Sequence, residues 1–230
     1  MKKNLICIAQ ARVIGGRKKL PHICSIAFDE NTERLVRVCL PFGSSENMPV
    51  RRWTRFSPHV EQTSSDTRID SFFIDMNHDI PWKPGKASRK LHEKLLSLAC
   101  PENDLIQQGL TISIKKIDSL RVYFHKLDEK HIRHRHNMSS KYGLWYPSKL
   151  LSVKGRDMLT QSGYSRLLLD WSFAETMRKE LKRKPENEVK KDIRNRLENY
   201  KHPYLVCGTT LQRRKNFMAI SVLSSPFSYG

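Results

Sequence analysis

Apolar and polar residues alternate from the first positions of the chain. An apolar run opens at Leu5 and a second covers residues 22–28. The turn between them, residues 15–21, carries Arg17, Lys18 and Lys19 in succession, so two buried strands joined by a cationic tip are predicted. A third strand is predicted over 34–40. There Val36, Val38 and Leu40 share one face by the two-residue period, and Leu35, Arg37 and Cys39 share the other, before Pro41 ends the run. Residues 43–49 have loop composition. A short strand is predicted at 59–62, and residues 63–86, rich in Ser, Asp, Asn and Pro, read as irregular.

Helical periodicity begins at Ser88. Leu91, Leu95 and Leu98 recur at three- and four-residue spacing, and Cys100-Pro101 closes the element. Residues 111–117 and 120–126 are predicted as neighbouring strands across the short link Asp118-Ser119. Leu120, Val122 and Phe124 form one face of the second, and Arg121, Tyr123 and His125 the other. Over 166–184, Leu167, Trp171, Ala174, Met177 and Leu181 trace a helical stripe. After Pro185, a second helix carries Val189, Ile193, Leu197 and Tyr200 on one side. Two last apolar runs, 204–207 and 217–223, flank Gly208 and the triplet Arg213-Arg214-Lys215 and read as a closing hairpin.

These elements define an α+β fold. The N-terminal half is strand-rich, with a mixed or antiparallel sheet that could close toward a barrel, followed by a C-terminal helical hairpin and a closing β-hairpin. Residues 1–126 form a strand-rich core with one helix. Residues 127–230 form a basic helical hairpin with terminal strands, packed on the same sheet as a single domain.

Charge sharpens this picture. The 230 residues hold 42 Lys and Arg against 23 Asp and Glu, a net charge of +19. Residues 1–115 account for +6 of it and residues 116–230 for +13. Such an excess favours polyanions by neutralising phosphates and releasing their counterions. No run approaches the ~18 apolar residues of a spanning helix, so a membrane partner is not expected. The apolar start is broken by Gln10 and Arg12, which fits a strand better than an export signal. The five cysteines lack any C-x-x-C pair and four lie in apolar runs. They read as reduced core residues of a cytoplasmic protein, with no cofactor implied.

Four groups could carry function. Arg51-Arg52-Trp53-Thr54-Arg55-Phe56 mixes phosphate-pairing guanidinium groups with flat rings on which bases stack; equally, its rings could face the core. The face Arg121, Tyr123, His125 presents a cation and stackable rings, as sheets that hold unpaired nucleotides do. The basic run Arg178, Lys179, Lys182, Arg183, Lys184 sits near a helix C-terminus, where cations complement the dipole. The segment His131-Ile-Arg133-His134-Arg135-His136 is the fourth. Its arginines disfavour a bound metal cation, but its imidazoles titrate in the range needed to cleave RNA without one. Carboxylates cluster weakly at Asp66, Asp70, Asp75 and Asp79 with His78, and at Asp170, Glu175 and Glu188. Asp66 and Asp70 read as partners for Arg68 and nearby amides, so no metal is expected there. Walker loops, dinucleotide fingerprints, Cys/His fingers and serine elbows are missing from the sequence.

The segment Asp66-Thr-Arg-Ile-Asp-Ser71, the pair Asp170-Trp171, and the apolar hairpin of Val206-Cys-Gly208 with Phe217-Met218 occur in this order after the basic opening hairpin. In this order of features the chain resembles a loosely defined group of small, uncharacterised prokaryotic proteins. It departs from them in carrying Ser172 where an acid is usual. The resemblance implies a coherent fold and no particular activity.

The sequence therefore points to a non-catalytic nucleic-acid-binding protein that contacts the backbone and belongs to a larger nucleoprotein assembly. Arg17, Lys18, Lys19, Arg51, Arg52 and Arg55 supply one positive surface. Arg178, Lys182, Arg183, Arg213, Arg214 and Lys215 supply another. Two alternatives remain open at this level: a metal-independent ribonuclease using His131, His134 and His136, and a basic protein-interaction subunit.

Overall fold

The alternation in the first forty residues builds four strands, β1 (Leu5–Gln10), β2 (Ile14–Gly16), β3 (Lys19–Asp29) and β4 (Arg34–Pro41). The computed structural model describes all residues except 12–13, 17–18, 42–50, 63, 65, 128, 130–132, 134–148, 211–215 and 229–230. At 14–16, 19–22, 40–41, 149–150 and 171 it describes the backbone alone. The opening turn is tighter than expected, because Gly16 pairs with Lys19 and Pro21 lies inside β3. Ala11 N–H donates to the Cys24 carbonyl on the β1 side, so the even-numbered residues of β3 present their peptide groups to that side. The missing N–H of Pro21 thus points the other way, where pairing with β4 has already ended at His22–Pro41.

Strand β5 (Arg55–Phe56) follows, β6 (Val60–Glu61) is the short strand predicted at 59–62, and residues read as irregular add β7 (Ser71–Ile74) and β8 (Trp82–Lys83). The strands are too short to show a period. β7 is a strand because it lies parallel to β4, with Arg37 opposite Ser71 and Val38 opposite Phe72. The first sheet runs β6-β7-β4-β3-β1-β5-β8, with β2 on β3.

Helix α1 (Arg89–Ser97) starts where the periodicity does, with Ser88 Oγ accepting from Leu91 N–H. Helix α2 (Glu102–Gln107) follows, then β9 (Ile112–Lys116) and β10 (Arg121–Lys126). The strand β11 (Lys149–Arg156) was not anticipated, and β12 (Gly163–Leu168) takes residues read as the start of a helix. That helix, α3 (Trp171–Glu180), begins later because Asp170 caps it, its carboxylate accepting from Ser172 and Phe173 N–H. Then come α4 (Glu186–Glu198), β13 (Pro203–Gly208) and β14 (Met218–Ser224). The last two pair antiparallel as the expected closing hairpin.

The second sheet runs β10-β11-β12-β14-β13-β9, so β9 and β10 are not ladder neighbours but opposite edges. The sheet curls until the end of β11 meets the end of β9. Ile117 bridges Asp157, Asp118 N–H donates to the Arg156 carbonyl, and Met158 N–H to that of Lys116. Gly155 permits this closure, since a Cβ there would run into the Ser119 carbonyl and the Ile117 side chain. Gly155→Ala should therefore destabilise the fold by about 1–3 kcal/mol through overpacking. A urea midpoint equal to the parent's would show that the closure relaxes freely.

Strands of the first sheet end at Lys83 and those of the second begin at Ile112. The two sheets pack face to face. Ile6, Ile8, Ile26 and Phe28 of one meet Ile114, Tyr204, Val206 and Ile220 of the other, with Leu91 and Leu95 of α1. Inside the curl of the second sheet, Val122, Val153, Leu205 and Val222 bury Phe173, Met177, Val189, Ile193 and Leu197 of the helical hairpin. This layered arrangement is the expected α+β fold, with the barrel-like curl located in the second sheet. Among the described residues no helix is long and apolar enough to cross a membrane.

Candidate nucleic-acid interface

Helices α3 and α4 fill the concave side of the second sheet, and among the described residues the convex side of β10, β11 and β12 is left open. Register determines what it displays, since residues directly opposite in an antiparallel ladder share a face. Arg121 lies opposite Lys154, which lies opposite Ser165. Tyr123 lies opposite Ser152, which lies opposite Leu167, and Arg156 lies opposite Gly163. The alternate residues Val122, Leu151, Val153, Tyr164 and Leu168 are buried in the curl. The open face therefore carries Arg121, Tyr123, His125, Lys154 and Arg156.

Tyr123 is 41% exposed and Leu167 37%, high values for large apolar groups on a sheet. Lys154 Nζ stands 4.6 Å from the centroid of the Tyr123 ring, a cation–π contact that steadies both side chains. Ser152, itself buried, lies 2.6 Å from His125 Nε2 and holds that ring against the sheet. A Cβ at Gly163 would meet nothing within 4 Å among the described residues. Arg121 comes within 3.7 Å of Glu198 on α4, which also accepts a hydrogen bond from Val122 N–H. Helix α4 thus covers the edge of β10 and leaves its outer face free.

Of the predicted binding residues, the structure brings Arg121, Tyr123 and His125 together. Lys154 and Arg156 were missed because 149–156 was not recognised as a strand, and Leu167 because its residues were read as the start of a helix. The alternation of Leu151 and Val153 with Ser152 and Lys154 was the available signal. The segment around Trp53 faces inward more than it faces solvent. Trp53, at φ +70°, sets its ring 5.4 Å from that of His92 on α1, and Phe56 is fully buried. Arg52 donates to Asp170 at 2.9 Å and to Ser221 at 2.6 Å, tying the first sheet to the second. Arg55 approaches Glu30 at 3.5 Å, while Arg51 is exposed.

On the helical hairpin, Arg178 donates to both carboxylate oxygens of Glu175, with Lys182 and Arg183 exposed. Arg133 is exposed. Arg17, Lys18, His131, His134, Arg135, His136, Arg213, Arg214 and Lys215 lie outside the described residues, as does the side chain of Lys19.

The acidic motifs are structural. Asp66 binds Arg68 with both oxygens, at 2.8 Å to Nε and 2.5 Å to Nη2, and accepts from Ser71 Oγ. Arg68 reaches on to the Thr209 carbonyl of the second sheet. Asp70 accepts from both N–H and Oγ1 of Thr111, at 2.7 and 2.6 Å. Burial alone would push the Asp66 carboxyl up, but bonds from Arg68 and Ser71 and the guanidinium charge hold it at about 2. Among the described residues no group of three His, Cys, Asp or Glu is placed to hold a metal.

No family model and no curated protein matches the sequence. Among solved structures, the chain has a TM-score of 0.33 and 9% identity to a chain of a replication protein A heterotrimer bound to ssDNA, over 90% of this chain and 43% of that one. It thus spans less than half the length of that neighbour, and a likeness this remote carries no argument about function.

Proposed function

We propose that the protein binds single-stranded nucleic acid on the convex face of β10–β12, gripping phosphates with Arg121, Lys154 and Arg156 and stacking a base on Tyr123. The half-exposed tyrosine ring set among cations on an open sheet carries this reading. In a duplex both faces of every base are already stacked on neighbours. A ring standing on a sheet can therefore stack only on an unpaired base, whereas the cations serve any phosphate.

Strand geometry sets the size of the platform. Arg121 to His125 is four rises of about 3.4 Å, and three strands about 4.8 Å apart give a width of about 10 Å. Such a face holds roughly two or three nucleotides. One stack contributes about 1–3 kcal/mol, too little alone for a tight complex. Durable binding then requires further contacts made at the same time. This supports a role as one component of a nucleoprotein assembly, with the exposed Lys182 and Arg183 available to the same polyanion or to a partner subunit.

Fluorescence anisotropy with a labelled single-stranded 12-mer tests the proposal. Log affinity should fall linearly with log salt, by about 0.7 per phosphate neutralised. A response flat from about 50 to 200 mM salt would refute phosphate binding altogether. Tyr123→Ala should weaken single-strand binding by about 5- to 150-fold, with Tyr123→Phe near the parent. Equal affinity for duplex and single strand, unaffected by Tyr123→Ala, would refute the stacking platform while leaving backbone binding intact.

A further inference from the structure

The five cysteines are all among the described residues, and two stand directly opposite each other: Cys24 on β3 faces Cys39 on β4. Cys7 faces Ala27, and Cys207 faces Ser113 on one side and Ala219 on the other. Opposite residues in an antiparallel ladder are of two kinds, and backbone bonding to third strands shows which kind this is. The Cys24 carbonyl accepts from Ala11 N–H at 2.8 Å, so its peptide groups point away from β4. Arg37 N–H donates to the Asp70 carbonyl at 2.6 Å, so the peptide groups of Arg37 point away from β3, and by alternation those of Cys39 do too. The hydrogen-bonded pair between them is Ser25–Val38, and Cys24–Cys39 is a non-hydrogen-bonded pair. In such pairs the Cα atoms lie about 4.5 Å apart with side chains at their closest, inside the 4.4–6.8 Å range that a disulfide spans.

We propose that Cys24 and Cys39 form an oxidisable cross-strand dithiol that closes to a disulfide when the protein meets a hydroperoxide. The surroundings support a defined order of events. Arg37 Nη1 lies 3.0 Å from Cys24 Sγ, offering a charged donor to negative charge on that sulfur. Burial pushes the Cys39 thiol up to about 12, which argues against Cys39 as the sulfur that meets the peroxide first. The Cys24 sulfur attacks the peroxide oxygen, and its proton passes to the oxygen that leaves. The O–O bond breaks, Cys24 becomes a sulfenic acid, and the other oxygen leaves as water or alcohol. Cys39 then attacks the Cys24 sulfur, the S–S bond forms, and hydroxide departs with the Cys39 proton as water. Two electrons pass from the sulfurs to the peroxide.

The pair also touches the contact between the sheets. Arg37, 2% exposed, bonds to Cys24 Sγ on one side and to the carbonyl and Oγ1 of Thr111, at 3.4 Å, on the other. Thr111 is in turn the partner of Asp70. Oxidation replaces the thiol that Arg37 contacts and so reports directly to this junction.

The test is peroxide treatment of the intact folded chain, alkylation of remaining thiols in denaturant, trypsin digestion and mass spectrometry. Trypsin separates the two cysteines at Arg34 and Arg37. The expected product is a linked pair of peptides containing Cys24 and Cys39, two hydrogens lighter than their sum and cleaved by reductant, with the other three cysteines alkylated. Cys39→Ser should abolish the link without creating another. Met76, 45% exposed, provides the internal control for oxidant. Five alkylated cysteines in a sample whose Met76 has become sulfoxide would overturn the proposal, as would a link elsewhere.

Discussion

Asp66→Ala is expected to lower the free energy of unfolding by about 3–5 kcal/mol, the cost of removing one partner of a buried ion pair. Asp66 and Arg68 are both buried, and their contact is bidentate. The variant leaves the guanidinium without its counter-ion and frees the Ser71 hydroxyl. The guanidinium's remaining side-chain bond, to the Thr209 carbonyl across the sheet interface, goes to a neutral acceptor and does not replace the lost counter-charge. The same pair makes stability depend on acid. Folding lowers the Asp66 pKa from 3.8 to about 2, so its contribution is complete above the unfolded value and disappears as pH falls through the folded one. The linkage amounts to roughly 2–3 kcal/mol. Urea unfolding followed by tryptophan fluorescence should show parent and variant far apart at pH 7 and converging toward pH 2. A gap that stays constant with pH would refute the ionic origin of the effect.

Asp170→Ala should cost a comparable amount for a different reason. One carboxylate oxygen caps α3, accepting from Ser172 N–H at 2.8 Å, from Ser172 Oγ at 2.5 Å and from Phe173 N–H at 3.4 Å. The other accepts from Arg52 Nη2 at 2.9 Å and from Ser221 Oγ. Loss of the cap costs about 1 kcal/mol. A half-buried Arg52 left without its counter-ion costs a further 2–3 kcal/mol, roughly. Asp170→Asn should keep most of the cap and lose the ionic part. In a double-mutant cycle, Arg52→Ala and Asp170→Ala should couple by about 1 kcal/mol or more. A thermal midpoint for Asp170→Ala matching the parent's would sink the assignment of this residue as a clasp.

Both clasps bear on the electrostatics of binding. Arg37, Arg52 and Arg68 are engaged at the junction of the sheets, so part of the +19 charge is structural. The segments Asp66 to Ser71 and Asp170-Trp171 coincide with these clasps. They are where the two sheets are held together, and the open face lies elsewhere, on β10–β12.

The face Arg121, Tyr123, His125 was legible because a pleated strand alternates by purely local geometry, and β10 has enough residues to show it. Helices α1 and α4 were legible for the same kind of reason, their buried Leu91 and Leu95, and Val189, Ile193 and Leu197, recurring at helical spacing. Leu167 and Trp171 share that spacing by coincidence, which extended α3 backward into β12 until the Asp170 cap showed where the helix starts. Strand β7 has four residues and no readable period; its pairing with β4 makes it a strand. Lys154 and Arg156 join Tyr123 only through the register of β11, and β9 is separated from β10 only because the sheet curls. What the sequence determined alone is the set of local conformations and the faces they offer, since these follow from bond geometry within a few residues. Which strands pair, in what register, and which arginines turn inward depended on burying apolar faces from distant parts of the chain, and only the tertiary structure decided it.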